Sequence, residues 1–182
     1  METKMETKKM LQILNVIAWT LFILLCIQAG VFLFNTVFTL FINPVDSKYF
    51  QRGEIDFSNL YAFSTGSFLF VALLMALVAA IKAYMFYLII LIFKTLNIMK
   101  PFSSEVGRLI FKIAYVALFI CVLSWAGTQY SEWLLKQGVK LPLMYKYFGG
   151  ADVFLMMGVL LFTVAQVFKR GMEIQTENDL TV

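Results

Sequence analysis

The stretch Leu60–Phe93, LYAFSTGSFLFVALLMALVAAIKAYMFYLIILIF, decides the fold of this chain. A helix of about 20 apolar residues is long enough to cross the hydrocarbon core of a bilayer, and this stretch is longer than that. Its one charged residue is Lys82. The sequence therefore predicts a transmembrane helix over about residues 61–93, with a single charge deep inside it.

Three further long apolar segments, at about residues 11–42, 106–135 and 152–168, are separated from this stretch by more polar connections. The chain is 61% hydrophobic and 14% charged, whereas a soluble domain averages about 45–50% apolar and about 25% charged residues. Apolar residues collected into long blocks are typical of a polytopic helical membrane protein. We expect an all-α integral membrane protein, in which residues 1–182 form a single domain with four spans in an up-down-up-down bundle.

The lysines and arginines predict the orientation of these spans. Nine of them lie in the N-terminal segment, the second loop and the C-terminal end, and five lie in the first and third loops. Because cytoplasmic segments carry an excess of Lys and Arg, the two tails, residues 1–10 and 169–182, are expected in the cytoplasm.

Small residues form a stripe on each of spans 2 and 3, and such stripes let two helices approach closely. Because a short loop joins these spans, we predict that they are antiparallel neighbours and that the stripes face each other. At ~100° per residue each stripe covers an arc of about 100° or less. The stripes comprise Ala72, Ala76, Ala79, Ala80 and Ala83 in span 2, and Ala114, Ala117, Cys121, Ser124 and Thr128 in span 3.

The polar residues inside the spans allow two interpretations. Lys82 carries a charge that costs about 2.5–3.5 kcal/mol at a helix centre on insertion scales. Its side chain can snorkel to the interface or use acceptors such as Gln28, or it can serve as a binding or gating charge inside the bundle. Gln28 and Asn35, seven residues apart on span 1, share one face and are expected to form interhelical hydrogen bonds; a ligand site there is the alternative.

Several classes of function are disfavoured by composition. The chain contains no histidine, which excludes histidine-based catalysis and histidine-ligated metal sites. Its two cysteines lie within apolar segments, where a thiol is usually a packing residue. No combination of nucleophile, base and oxyanion donors can be assembled, and no basic face is present for nucleic acid. We therefore expect no enzyme, no cofactor, no metal site and no direct nucleic-acid binding.

Local signals predict where helices begin and end. Pro44 is expected to end the first span. Ser103 or Ser104 can cap the third span, and a short interfacial helix is expected before Gly149. Lys169-Arg170 is expected to stop the fourth span at the lipid headgroups.

Two segments carry a resemblance to a known family. They are K-P-F at residues 100–102 and the ending F-K-R-G-M-E-I-Q-T-E-N-D-L-T-V at residues 168–182. With four spans in a chain of this length, they resemble the YoaS-like bacterial membrane proteins, called domain of unknown function 2975. The resemblance implies a four-helix protein of the bacterial inner membrane without assigned activity. It also implies a partner, since members are often encoded beside a very small helix-turn-helix regulator of the Xre/Cro type.

The C-terminal tail is accordingly the first candidate for a partner-binding site. It can dock in a partner's groove or add as a strand to a sheet edge; alternatively, it folds back on the second loop, where its acids would meet Lys100, Arg108 and Lys112. The rival hypothesis is a small transporter or channel-like protein that uses Lys82 and the polar face of span 1. Ligand and oligomeric state stay open. The candidate partner-binding residues are Arg170, Glu173, Glu177, Asp179, Leu180 and Val182.

Overall fold

A computed structural model of the chain describes the backbone of residues 2–41, 57–96 and 103–180, and the side chains of residues 9–41, 57–96 and 103–177. Every regular element in these ranges is an α-helix, and four of the helices are long and apolar enough to cross a membrane. The predicted all-α class with four such helices is therefore confirmed. The helices are α1 (Glu2–Phe41), α2 (Ser58–Phe63), α3 (Thr65–Thr95), α4 (Ser104–Lys136), α5 (Tyr145–Phe148) and α6 (Ala151–Leu180).

The outer ends of α1 and α6 extend beyond the predicted spans. Residues 2–10 and 169–180, predicted as tails beyond the spans, continue these two helices. Two contacts support α6 beyond its apolar part: Arg170 Nη1 donates to Glu173 Oε2 at 2.8 Å, and Thr176 Oγ1 donates to the carbonyl of Met172 at 2.9 Å. A single glycine, Gly171, weakens a helix by only about 1 kcal/mol. The basic pair therefore marks the end of the apolar segment, and the helix continues past it.

The predicted local signals of the other helices are present. Ser103 Oγ accepts a hydrogen bond from the backbone N–H of Val106 at 3.3 Å, which makes Ser103 the N-cap of α4. Ser64 Oγ accepts from the N–H of Ser67 in the same way at the start of α3. The short helix predicted before Gly149 is α5. Gly150 then takes a φ of +84°, which glycine adopts at little cost, and the chain enters α6.

The chain divides into two compact units. The first unit comprises residues 1–24, 83–119 and 152–182, and the second comprises residues 25–82 and 120–151.

In the first unit, α6 packs on α4 through aromatic rings. The ring of Phe162 lies edge-on to those of Phe111 and Tyr115, with centroids 5.5 and 6.1 Å apart. In the same unit the Lys94 ammonium, in the last turn of α3, lies 5.6 Å from the ring centroid of Trp19 in α1. This geometry is that of a cation–π contact, and both residue types are common near the ends of transmembrane helices.

In the second unit, the connections between the long helices contribute to the core. Leu60 of α2 and Phe148 of α5 belong to the same buried cluster as the alanines at the start of α3. The hydroxyl of Tyr130 in α4 donates to Ser67 Oγ in α3 at 3.1 Å, and its ring lies 4.8 Å from that of Phe70. The first turns of α3 and the last turns of α4 are therefore neighbours.

Large apolar side chains cover much of the outer surface. Only 17% and 11% of the residues in the apolar segments that contain α1 and α6 are buried, whereas the shares for α3 and α4 are 39% and 33%. Phe34 and Phe41 of α1, for example, are 68% and 81% exposed. Contiguous apolar surface of this kind marks contact with a partner or with lipid, and in a membrane the acyl chains cover it.

A substitution at Gly127 tests the packing of α5 on α4 in the second unit. A Cβ at this position would lie 2.5 Å from the ring of Phe148, which is fully buried, so the ring would have to move. We expect Gly127→Ala to lower the free energy of unfolding by about 1–3 kcal/mol, measured as a lower thermal midpoint of the detergent-solubilised protein. Gly30→Ala is the control, because a Cβ there meets nothing within 4 Å. Equal midpoints for the two variants would contradict the packing.

Candidate functional site

Lys82, the charged residue in the middle of the apolar segment of α3, lines a small cavity in the second unit. Lys82 lies in α3, twelve residues before Lys94, which corresponds to about 18 Å along a helix. Its side chain is half-buried. The cavity has a volume of about 80 Å³, and three helices supply its polar lining: Gln28 from α1, Lys82 from α3, and Lys146 and Tyr147 from α5.

The short helix α5 holds two of these residues in place. Phe148 is fully buried against the bare backbone of Gly127, and its carbonyl accepts a hydrogen bond from the hydroxyl of Thr128 at 3.5 Å. One residue earlier, the ring of Tyr147 lies edge-on to that of Phe32, with centroids 5.4 Å apart. Because both neighbouring rings are fixed, Lys146 and Tyr147 are presented to the cavity by a well-packed element.

The other residues that line the cavity are apolar, and apolar surroundings strengthen the Coulomb interactions of a charge. Met75, Val78 and Ala79 of α3 line the cavity beside Lys82 and are buried. Coulomb interactions grow as the surrounding dielectric constant falls. Two lysines line this small cavity beside those apolar side chains, so a negatively charged ligand inside it would be attracted to both.

The structure brings together part of the predicted polar set. Gln28 and Lys82 line the same cavity, whereas Asn35 is not among the residues that line it. The backbone carbonyl of Asn35 accepts a hydrogen bond from Thr39 Oγ1 at 2.8 Å. Ser124, a member of the small-residue stripe of span 3, does not line the cavity; it is buried, and its hydroxyl makes no hydrogen bond with the residues that the structure describes.

Sequence reasoning did not find Lys146 or Tyr147 as site residues. Lys146 is one of the lysines and arginines counted in the third loop, and Tyr147 lies within the short helix expected before Gly149. The local signal for α5 was present, but the approach of α5 to α3 links residues more than 60 positions apart in the sequence. No periodicity within either segment reports such a contact.

Most of the predicted packing residues are buried. Ala80 is exposed, because it lies at the edge of the arc, about 40° beyond Ala76 and about 60° from Ala83. Cys121 is half-buried. That the two stripes face each other stays a prediction. The buried members named as packing residues are Ala72, Ala76, Ala83, Ala114, Ala117 and Ser124.

The C-terminal part of α6 lines a second, open cavity in the first unit. This groove has a volume of about 650 Å³ and lies between Ser104 at the start of α4 and residues 169–177 of α6. Glu173 and Glu177 both line it and are exposed. They are four residues apart, so they share one helix face. The ion pair of Glu173 is with Arg170, whose side chain is 69% exposed.

One of the alternatives for the tail, addition as a strand to a sheet edge, is affected. Because the backbone through Leu180 is helical, its N–H and C=O groups are not available for the predicted strand addition over those residues. A helix face is the surface that this segment offers. The side chains of Asp179 and Leu180, the residues Thr181 and Val182, and the K-P-F motif at 100–102 lie outside the described part of the chain.

Comparison with family models gives the relationship of this chain to other proteins. A model described as "Protein of unknown function (DUF2975)" matches residues 16–182. The chain belongs to the DUF2975 family. Comparisons with curated proteins and with solved structures give no significant match. The matched range includes both the Lys82 cavity and the C-terminal helix. It confirms the family predicted from the sequence, whereas the likeness to YoaS in particular stays a prediction.

The variant Lys82→Met tests whether the protein requires this lysine in order to fold and accumulate in the membrane. We expect this variant to accumulate in the membrane at the wild-type level, because methionine keeps an unbranched side chain and removes a charge that costs about 2.5–3.5 kcal/mol on insertion scales. The measurement is the amount of protein in the membrane fraction. Lys136→Met, at the exposed end of α4, is the control. Loss of the Lys82 variant beside normal accumulation of the control would make Lys82 a structural requirement.

Proposed function

We propose that this protein is a non-enzymatic multi-pass protein of the bacterial inner membrane that presents its cytoplasmic C-terminal helix to a small helix-turn-helix regulator of the Xre/Cro type. The observation that carries the proposal is the continuation of α6 beyond its apolar part. Residues 169–180 form helix, and the side chains of Glu173 and Glu177 on it are exposed beside an open groove. An exposed helix that docks into a groove of its partner is a common form of protein recognition.

The charge of this helix matches the chemistry of such a partner. A helix-turn-helix protein carries lysines and arginines that contact DNA phosphates. The exposed carboxylates of Glu173 and Glu177 offer that basic face an alternative to DNA. A regulator bound to the membrane helix is thereby held away from its operator, which is a form of sequestration.

The orientation required by this proposal agrees with the distribution of charge. Nine lysines and arginines in the two tails and the second loop, against five in the other loops, favour cytoplasmic termini by the positive-inside rule. A DNA-binding regulator is in the same compartment. The bilayer is the protein's other partner in this proposal, and no direct contact with nucleic acid is invoked.

A second candidate function is a small transporter or channel-like protein. The observation that favours it is the convergence of Lys82 and Gln28 on one cavity, because an ionisable group inside a membrane segment is a functional candidate by default. The two candidates are separable. Removing the C-terminal helix after Gly171 should abolish capture of the regulator and leave transport intact, and Lys82→Met should do the reverse.

Capture of the regulator tests the first candidate. The detergent-solubilised full-length protein should retain a small DNA-binding protein from the host lysate, and a variant ending at Gly171 should not. Glu173→Lys should weaken retention about tenfold, the equivalent of about 1.4 kcal/mol. Glu132→Lys, the same change at the exposed far end of α4, is the matched control. Because the contact is electrostatic and exposed, retention should also fall as salt rises.

Two results would contradict the proposal. Equal retention by the full-length and shortened proteins would show that the C-terminal helix is not the binding surface. If neither form retains a DNA-binding protein, regulator binding is contradicted, and the Lys82 cavity becomes the candidate functional site.

A further inference from the structure

The Lys82 cavity has a lining that selects one class of ligand by charge. Four polar side chains surround it, and all of them can donate hydrogen bonds: two ammonium groups, the amide of Gln28 and the phenol of Tyr147. Lys82 and Lys146 carry like charges, and an anion in the cavity adds an attraction to each of them that offsets their mutual repulsion. The cavity is therefore suited to a negatively charged ligand with several acceptor atoms.

The size of the cavity limits that ligand further. A site needs about 10–15 Å³ of space for water-sized probes to hold one water molecule, and this cavity has about 80 Å³. A few water molecules or one tetrahedral oxyanion fit into that space, whereas a nucleotide or a peptide does not. An oxyanion also matches the donors better than a halide, since several separate oxygens can each accept a hydrogen bond.

The residues that line the cavity lie on three helices, and each helix has buried side chains next to its lining residue. Lys82 stands on a long helix next to the buried Ala83, and α5 is fixed by the buried ring of Phe148. Phe32 of α1 is buried against the ring of Tyr147. A backbone that is held in place before the ligand arrives loses little conformational entropy on binding.

We propose that the cavity formed by Gln28, Lys82, Lys146 and Tyr147 binds a phosphate-type oxyanion. Free inorganic phosphate and the phosphate of an anionic lipid headgroup share this chemistry. The proposal gives a ligand class to the second candidate function and rests on that function only for the location of the site, because binding does not require transport. It is independent of the regulator.

The first arm of the test measures free anion. Radiolabelled inorganic phosphate is equilibrated by dialysis against the full-length detergent-solubilised protein at constant sodium chloride. Wild type should bind it, and Lys82→Met and Lys146→Met should each weaken binding about tenfold or more, the effect of losing a charge-assisted hydrogen bond. Lys136→Met, which removes an exposed charge of the second unit outside the cavity, should bind like wild type.

The second arm measures the lipid source. The same four proteins are reconstituted in nanodiscs of equal parts phosphatidylglycerol and phosphatidylcholine, and lipid retained after extraction is identified by native mass spectrometry. Retention of phosphatidylglycerol by wild type and Lys136→Met, but not by the two cavity variants, assigns the oxyanion to a headgroup. Binding in the first arm with the same pattern assigns it to free phosphate.

Three outcomes would overturn the proposal: no binding in either arm, equal binding by all four proteins, or a loss confined to Lys82→Met. Because Lys146 is exposed, Lys146→Met keeps the test valid even where Lys82→Met fails to fold. Uptake of phosphate into proteoliposomes is measured separately. Binding without uptake would contradict the transport function but would support the anion site. Capture of the regulator by Lys146→Met should equal that of wild type in every case.

Discussion

The rest of the structure depends on one constraint: inside a bilayer, the chain must satisfy its own backbone hydrogen bonds. A helix does this within a single segment, and the polar side chains of these helices follow the same rule. The hydroxyls of Thr20, Thr36 and Thr163 each donate to the carbonyl four residues earlier, at 2.9, 2.7 and 3.1 Å. The backbone and these hydroxyl groups therefore need no hydrogen-bond partner from a neighbouring helix. Hence α1 and α6 can bury little of their surface in protein and leave most of it to lipid.

Against this background, the few groups that a helix cannot satisfy by itself carry the functional argument. The ammonium of Lys82 is costly inside a membrane, and it lines a cavity with Lys146, Gln28 and Tyr147. The acidic face of the C-terminal helix lies in the other unit and beyond the apolar segment. The two features therefore define separate sites, one suited to a small anion and one to a basic protein surface.

Much of the fold follows from short-range signals in the sequence. The four long helices follow from apolar segments longer than a bilayer requires, the cap of α4 from Ser103, and α5 from the turn residues at Gly149 and Gly150. The expected stop of the fourth span at Lys169-Arg170 stays a prediction, and the helix itself continues to Leu180. Hydropathy indicates where lipid contact ends, whereas a helix can continue in water. Local ion pairs such as Arg170–Glu173 support that continuation.

The candidate site was only partly accessible from the sequence, and the reason is also physical. Lys82 is conspicuous because a charge in an apolar segment is rare, and Gln28 was identified as a polar residue of span 1. Lys146 and Tyr147 join them only because α5 packs through Phe148 onto the bare backbone of Gly127. That contact depends on tertiary shape, which neither composition nor helical periodicity encodes.

The central claim is that α6 carries the chain from one side of the membrane to the other, and site-specific labelling tests it most directly. Single cysteines are introduced as Lys140→Cys and Glu177→Cys, both at exposed positions, after replacing Cys26 and Cys121 by alanine. A membrane-impermeant maleimide is applied to intact spheroplasts and to permeabilised ones. The account predicts labelling at position 140 in both cases and at position 177 only after permeabilisation. Labelling of both positions in intact spheroplasts would contradict it.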